Sequence, residues 1–281
     1  MTRPRIWNTA TDDALHAHRL RTARPRAQLR QGRTDWYRIT NLADGVDEVY
    51  IYDEIGWFGV TAADLVQELR GLTSARLSVR LNTPGGDAFD SIAILNALRA
   101  HPASVEVTVD SLAASGGSII AMAGDTVTMA PGSQMMIHNA SGLVIGNAVD
   151  MREMADLLER QDANIASIYQ SRAGGKLGDW QTAMKAETWY SAQEAVDAGL
   201  ADVVGTVASQ TTRNDWDLSI YAYAGREQAP PPEPVDHVAD FDFDPDAFRQ
   251  SVRNGTTPAQ PEPEFKFDPD VFRQTMRKVA G

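Results

Sequence analysis

Three short segments of the chain hold the residues best suited to covalent chemistry. The first is Ala113-Ala114-Ser115-Gly116-Gly117, which follows an apolar run and precedes Ser118-Ile119-Ile120. A strand that runs into small residues and then a helix is the setting of a nucleophile turn, where small neighbours tolerate a strained backbone and a hydroxyl projects from it. A helix N-terminus at that turn would also favour negative charge on a bound carbonyl. The same small residues suit close helix–sheet packing, so this segment alone leaves both roles open. The second segment is Met135-Met136-Ile137-His138. His16 and His18 stand in a basic N-terminal stretch, His101 at an expected helix end and His237 in a Pro-rich tail, so only His138 directly follows an apolar strand in the folded region. It is either a satisfied core residue or a general base for a serine. The third segment is Asn82-Thr83-Pro84-Gly85-Gly86-Asp87, at a strand-to-helix junction. Paired glycines permit a tight turn and leave backbone N–H groups free to meet an anion, with a plain turn as the other reading. Neither GxxxxGK[ST] nor GxGxxG is present there, so it is not a nucleotide loop.

The elements around these segments follow from hydrophobic period. Val49 to Tyr52 reads as a strand, and Val60 to Leu72 as a helix with Leu65, Leu69 and Leu72 on one face. Leu77, Val79 and Leu81 alternate in a strand over 76–81, followed by a helix over 87–100 that turns Ile92, Leu95 and Leu98 inward. Val105, Val107 and Val109 alternate with polar residues, which is again a strand period. A short small-residue helix over 116–123, strands over 126–129 and 134–137, and a long helix over 148–171 complete the pattern. Alternating strands and helices imply an α/β fold whose crossovers lie on the sheet faces.

Composition narrows the chemistry. The 281 residues include no cysteine, which excludes a disulfide framework, a thiol nucleophile and a Cys-ligated metal. A net charge of -12 argues against a general nucleic-acid coat. No stretch has the roughly 18 uninterrupted apolar residues of a membrane span, and the N-terminus lacks a secretory apolar run, so the expected location is cytoplasmic.

The charge also divides the chain. Residues 1–34 carry eight Arg against two acids, a basic arm, whereas 227–281 carry eleven acids against six bases. Between them, 35–226 is expected to form one folded domain. Pro/Glu stretches at 229–234 and 257–264 read as linkers unable to pack a core. The tail contains a duplicated motif, Phe243-Asp244-Pro245-Asp246-Ala247-Phe248-Arg249-Gln250 and Phe267-Asp268-Pro269-Asp270-Val271-Phe272-Arg273-Gln274. Each copy has an Asp N-cap, Pro at the first helical position and Arg near the end, which favours a short helix. Such a pair on flexible spacers suits docking to a partner, and a surface tail without one is the alternative.

Together the three reactive segments resemble the proteolytic subunit of the Clp protease, in its phage-type form. The resemblance runs from about Val49 to Val204. It rests on Asn82–Gly86, Ala113–Ser115, Met136–His138 and a final Ser191-Ala192-Gln193-Glu194-Ala195-Val196-Asp197-Ala198-Gly199-Leu200-Ala201-Asp202. It implies a ClpP/crotonase-like fold of stacked β-α-β units with flexible terminal extensions. It further implies a serine endopeptidase with Ser115 as nucleophile, His138 as base, Glu187 in the third triad position, and the N–H groups of Gly86 and Gly116 as the oxyanion hole. Glu187 departs from the Asp usual there in bacterial relatives and is one methylene longer. No metal or organic cofactor is implied.

The resemblance also implies a homo-oligomeric ring or double ring enclosing the active sites, with the helix after His138 as a handle. Val149, Met154, Leu157, Leu158, Ile165 and Ile168 on that helix suit either ring contact or packing within the chain. The basic arm and duplicated tail fit a phage head-maturation protease that cuts scaffold and coat proteins in the prohead, with 243–253 and 267–277 as docking segments. Three alternatives stand beside that reading. One is a degradative subunit under an AAA+ unfoldase. Another is a signal-peptide-peptidase-like Ser/Lys protease, although no Lys precedes Lys176 and His138 would be left without a role. The third is a non-catalytic scaffold that kept the fold.

Overall fold

The computed structural model describes residues 37–42 and 45–235 except 57–58 and 207–215. The basic arm at 1–34 and the motifs at 243–253 and 267–277 lie outside the described residues. Eight strands are described: β1 (Tyr37–Leu42), β2 (Val46–Ile51), β3 (Arg76–Thr83), β4 (Ser104–Ala114), β5 (Thr126–Met129), β6 (Gln134–Ile137), β7 (Thr188–Ser191) and β8 (Val203–Val204). The helices are α1 (Ala62–Leu69), α2 (Ala88–Ala100), α3 (Gly116–Ala121), α4 (Ala148–Ala173), α5 (Leu177–Lys185) and α6 (Ala192–Asp197). The elements expected over 49–171 are present, with boundaries shifted by a few residues. The first expected helix begins later than Val60 because the Thr61 side chain accepts the Asp64 N–H and caps it.

The strands form one sheet in the order β1-β2-β3-β4-β5-β8, with β6 joining β4 and β7 joining β6. Pairing from β2 through β5 is parallel, so each connection must cross a sheet face, and the helices occupy those crossovers. Val49 pairs with Val79 and Val79 with Val107, while Leu81 pairs with Val109. These side chains make apolar rows on one face, and all are buried. Leu65 and Leu69 of α1, with Ile94, Leu95 and Leu98 of α2, close over them.

The opposite face of the same strands is polar. Asp110, 4% exposed, accepts from Arg80 Nε at 2.9 Å, from Arg80 Nη2 and from the Tyr52 hydroxyl. A buried carboxylate without such partners would cost several kcal/mol, on the order of 3–5, so the fork from Arg80 is what permits Asp110 in a central strand. The Asp110 charge keeps the Arg80 guanidinium above its ordinary pKa against the opposing effect of burial.

Helix α4 divides the six apolar residues expected along it. Ile165 and Ile168 are in the core, whereas Val149 is exposed and Met154, Leu157 and Leu158 are half-buried. At about 1.5 Å per residue its 26 residues span roughly 39 Å, and its buried residues, Ile165, Ala166, Ile168 and Tyr169, all lie in its C-terminal half. Leu143, Ile145 and Met151 are exposed beside its N-terminal half. In the Pro-rich stretch read as a linker, Ala229 is buried, as is Val235 just after it, so packed chain continues beyond Arg226. No described helix is long and apolar enough to cross a membrane.

Because Leu98 is fully enclosed, Leu98→Ala is expected to lower unfolding free energy by about 2–5 kcal/mol. Denaturant titration measures this, and a loss below about 1 kcal/mol would contradict close packing of α2 on the sheet.

Candidate active site

Strand register brings the three candidate residues together. β4 is long enough to pair twice: Glu106–Val109 align with β5, and Leu112–Ala114 align in parallel with Gln134–Met136 of β6. Ala114 is opposite Met136, so the two chains leave the sheet side by side, one into Ser115 and the other into His138. The Ser115 N–H donates to the Met136 carbonyl at 2.9 Å, which carries the alignment one residue past the strand. β7 runs antiparallel to β6 with Thr188 opposite Ile137, which places Glu187 beside the same exit.

Ser115 has φ 51 and ψ -119, a strained conformation for a residue with a side chain. That backbone turns the hydroxyl out of the sheet line. Its Oγ is 2.7 Å from His138 Nε2, and with the ring proton on Nδ1 the imidazole accepts the Ser115 hydroxyl. The neighbouring serines are engaged or remote. Ser118 Oγ donates to the Ser115 carbonyl at 2.6 Å and lies 2.8 Å from the Tyr169 hydroxyl, while Ser111 is exposed on β4.

The glycines at the turn are required by contact. A Cβ on Gly85 would lie 2.6 Å from Ser115 Cβ and 2.5 Å from the Ala114 carbonyl oxygen. One on Gly86 would fall 2.0 Å from the Ile55 carbonyl oxygen, and one on Gly116 would fall 2.2 Å from Ser91 Oγ. Among the described residues, neither Gly86 nor Gly116 has an acceptor for its backbone N–H. Both therefore have donor capacity near the serine. Asp87 is the N-cap of α2 and accepts the Asp90 N–H at 2.9 Å, which gives these two acids a helix-start role.

Glu187 is also held at positive φ, 51°. Its carboxylate accepts from Trp189 Nε1 at 3.2 Å, the Ala222 N–H at 2.8 Å and the Tyr223 N–H at 3.0 Å. Its partners among the described residues do not include His138, and the carboxylate acts on the imidazole as a nearby charge. That charge raises the His138 pKa, but burial lowers it more, so the net value is below the ordinary 6.5. The imidazole is consequently neutral at pH 7 and able to accept a proton. Trp189 and Tyr190 are buried beneath this arrangement.

Of the other histidines, His101 caps the end of α2 and its Nδ1 accepts the Ala103 N–H at 3.2 Å. His16, His18 and His237 lie outside the described residues. Beside Ser115 and His138 opens a cavity of about 160 Å³. Its apolar wall includes Phe89, Ile119, Leu157, Leu158 and Ile165. The α4 side is fixed to the loop after His138 by Asp162, which accepts the Ala140 N–H at 2.6 Å.

Sequence reasoning did not find the contribution of Tyr221, Ala222 and Tyr223. Two of those contacts use backbone N–H groups, which no residue type announces. The available signal was the close spacing of Trp216, Tyr221 and Tyr223 in an otherwise turn-rich stretch.

A family model described as Clp protease matches residues 31–208. The ATP-dependent Clp protease proteolytic subunit 1 of Protochlamydia amoebophila is 31% identical over 128 residues, covering 44% of this chain and 62% of that protein. The ATP-dependent Clp protease proteolytic subunit of Streptococcus thermophilus is 30% identical over 130 residues, covering 45% of this chain and 66% of that protein. This chain thus spans less than two thirds of the length of those curated relatives. The solved structure of a ClpP1 point mutant from Listeria monocytogenes matches with a TM-score of 0.51 at 21% identity, over 56% of this chain and 90% of that one. The fold is therefore the ClpP fold.

The His138 environment can be measured directly by NMR titration. The midpoint is expected below 6.5, and Glu187→Gln is expected to lower it further, since removing the negative charge leaves only the effect of burial. A rise on that substitution would contradict the electrostatic relation between the two residues.

Proposed function

The chain belongs to the Clp protease family, and on that premise we propose that it is a serine endopeptidase acting through Ser115, His138 and Glu187. The observation that carries this reading is the 2.7 Å contact between His138 Nε2 and a Ser115 hydroxyl held on a strained turn. A neutral imidazole takes the hydroxyl proton as Oγ bonds to the substrate carbonyl carbon. The carbonyl oxygen gains negative charge, and the N–H groups of Gly86 and Gly116 are the donors for it. His138 then gives the proton to the departing amine as the C–N bond breaks. Water, deprotonated by the same imidazole, releases the acyl group and restores the Ser115 hydroxyl. Glu187 stabilises the charged imidazole formed in both halves.

The cavity beside the pair supports an apolar residue as the substrate side chain held there, because its wall is mostly aliphatic and aromatic. The Ser/Lys reading loses ground to the position of His138, which already occupies hydrogen-bonding distance from the serine.

For the biological setting, the reading is a protease of phage head assembly, working in an oligomeric chamber in the host cytoplasm and the prohead. A long basic arm and a duplicated acidic tail motif support a chain that docks to coat or scaffold proteins through 243–253 and 267–277. The exposed apolar residues near the start of α4 support contact between subunits. A degradative subunit under an AAA+ unfoldase is the second reading, favoured by relatives named as ATP-dependent Clp protease subunits.

Intact-mass analysis after co-expression with a candidate coat or scaffold protein, comparing wild type with Ser115→Ala, tests the chemistry and the setting together. Shortened partner is expected only with wild type, along with labelling of Ser115 by a fluorophosphonate. Identical masses in both samples would remove the maturation role, and absence of labelling would remove the serine mechanism.

A further inference from the structure

The segment from Trp216 to Arg226 crosses the end of the sheet where the candidate residues emerge. Trp216 Nε1 donates to Asn82 Oδ1 at 3.2 Å, at the start of the glycine turn. The Tyr221 hydroxyl donates to the Pro84 carbonyl at 2.5 Å, directly before Gly85-Gly86. The Tyr221 ring is edge-on to His138, with centroids 5.3 Å apart, and to Trp189 at 6.2 Å. The next two residues supply the Ala222 and Tyr223 N–H donors to Glu187. Arg226 fastens the far end: its guanidinium grips both Glu194 oxygens at 2.6 Å, and its N–H donates to Gln134 Oε1 at 3.0 Å. The pairing holds the Glu194 carboxyl down to about 2. Trp216, Leu218, Tyr221 and Tyr223 pack on a second apolar cluster made by Leu112, Ala114, Met136 and Trp189.

Two features distinguish a support from an obstruction. The cavity lined by Ser115 and His138 has no residue of this segment in its wall, so the open flank of the pair is left clear. The polar contacts of the segment go instead to groups that orient the reacting ones: the carboxylate beside His138 and the carbonyl before the glycine turn. A carboxylate has about four acceptor sites, and here three are taken by N–H groups, two of them from this strap.

We propose that Tyr221, Ala222 and Tyr223 are positioning residues of the active site, with the strap fixing the Glu187 carboxylate against His138 and the Pro84-Gly85-Gly86 turn against Ser115. This rests on the Ser115–His138 reading above. The strap acts through Glu187 and through the turn, and it forms no bond with substrate.

The test uses full-length chains and two readouts, the rate of Ser115 labelling by a fluorophosphonate and the kcat and KM for a peptide substrate. Ala222→Pro deletes one donor to Glu187 and is expected to slow labelling by ~10-fold or more, with Glu187→Gln slowing it comparably. The double variant is expected to be no slower than the slower single one, because both changes remove the same interaction. Tyr221→Phe keeps the ring packing and loses only the hydroxyl; kcat is expected to fall several-fold with KM within about twofold of wild type. It also covers the case in which Ala222→Pro does not fold. Faster labelling in either strap variant would show an inhibitory strap and overturn the proposal. So would wild-type rates in both, or losses that multiply in the double variant. If folded wild type were not labelled at all, the Ser115 reading would fall and this inference with it, whereas labelled wild type with indifferent strap variants removes this inference alone.

Discussion

The pairing of Ala114 with Met136 is the constraint on which the site depends. Parallel alignment makes two strands end together, and the candidate nucleophile Ser115 and base His138 lie within two residues of those ends. A slip by one residue would reverse which side chains face the core and would separate Ser115 from His138. Such a slip is opposed by the second pairing of β6, which sets Ile137 opposite Thr188 of β7, and by the burial of Met135, Met136 and Ile137. The 2.7 Å contact is thus an outcome of the pairing and packing of β6 between β4 and β7.

A second requirement is close approach. Strands and turn meet at distances where a single methyl on Gly85, Gly86 or Gly116 would collide with backbone or a buried hydroxyl. The site also holds two non-glycine residues at positive φ, Ser115 and Glu187, at a cost of about 1–3 kcal/mol each. Both follow or precede a strand with buried side chains, so the surrounding packing offsets that cost. Strain and exclusion of side chains therefore occur at the same few positions, which are the ones that leave N–H donors and a hydroxyl facing one cavity.

Much of this was legible in the sequence, for physical reasons that differ by region. Val105, Val107 and Val109 announce a strand because a half-buried sheet surface imposes a two-residue period. The same reasoning found β5 and β6, and it located Ser115 and His138 at strand ends. It did not identify β7 or α6 as elements, because Thr188–Ser191 and Ala192–Asp197 are too short for a period to develop, although Ser191 and the residues of α6 stood out within a family motif. Glu187 was placed by resemblance, but its partners were not, since a backbone N–H from residue 222 leaves no trace in residue type. The Pro-rich stretch misled for a related reason: proline content describes local stiffness and says little about whether Ala229 and Val235 find a surface to cover.

The position of the strap in the chain gives the site a schedule. Ser115 and His138 are made early in synthesis and Glu187 later, while the donors that hold its carboxylate arrive only with residues 222 and 223. At about 5–20 residues per second, several seconds separate the emergence of His138 from that of Tyr223. A nascent chain can align its serine and histidine on the ribosome while the last hydrogen bonds around Glu187 have yet to form. The order of translation thus makes completion of the site one of the last events in the building of the folded body.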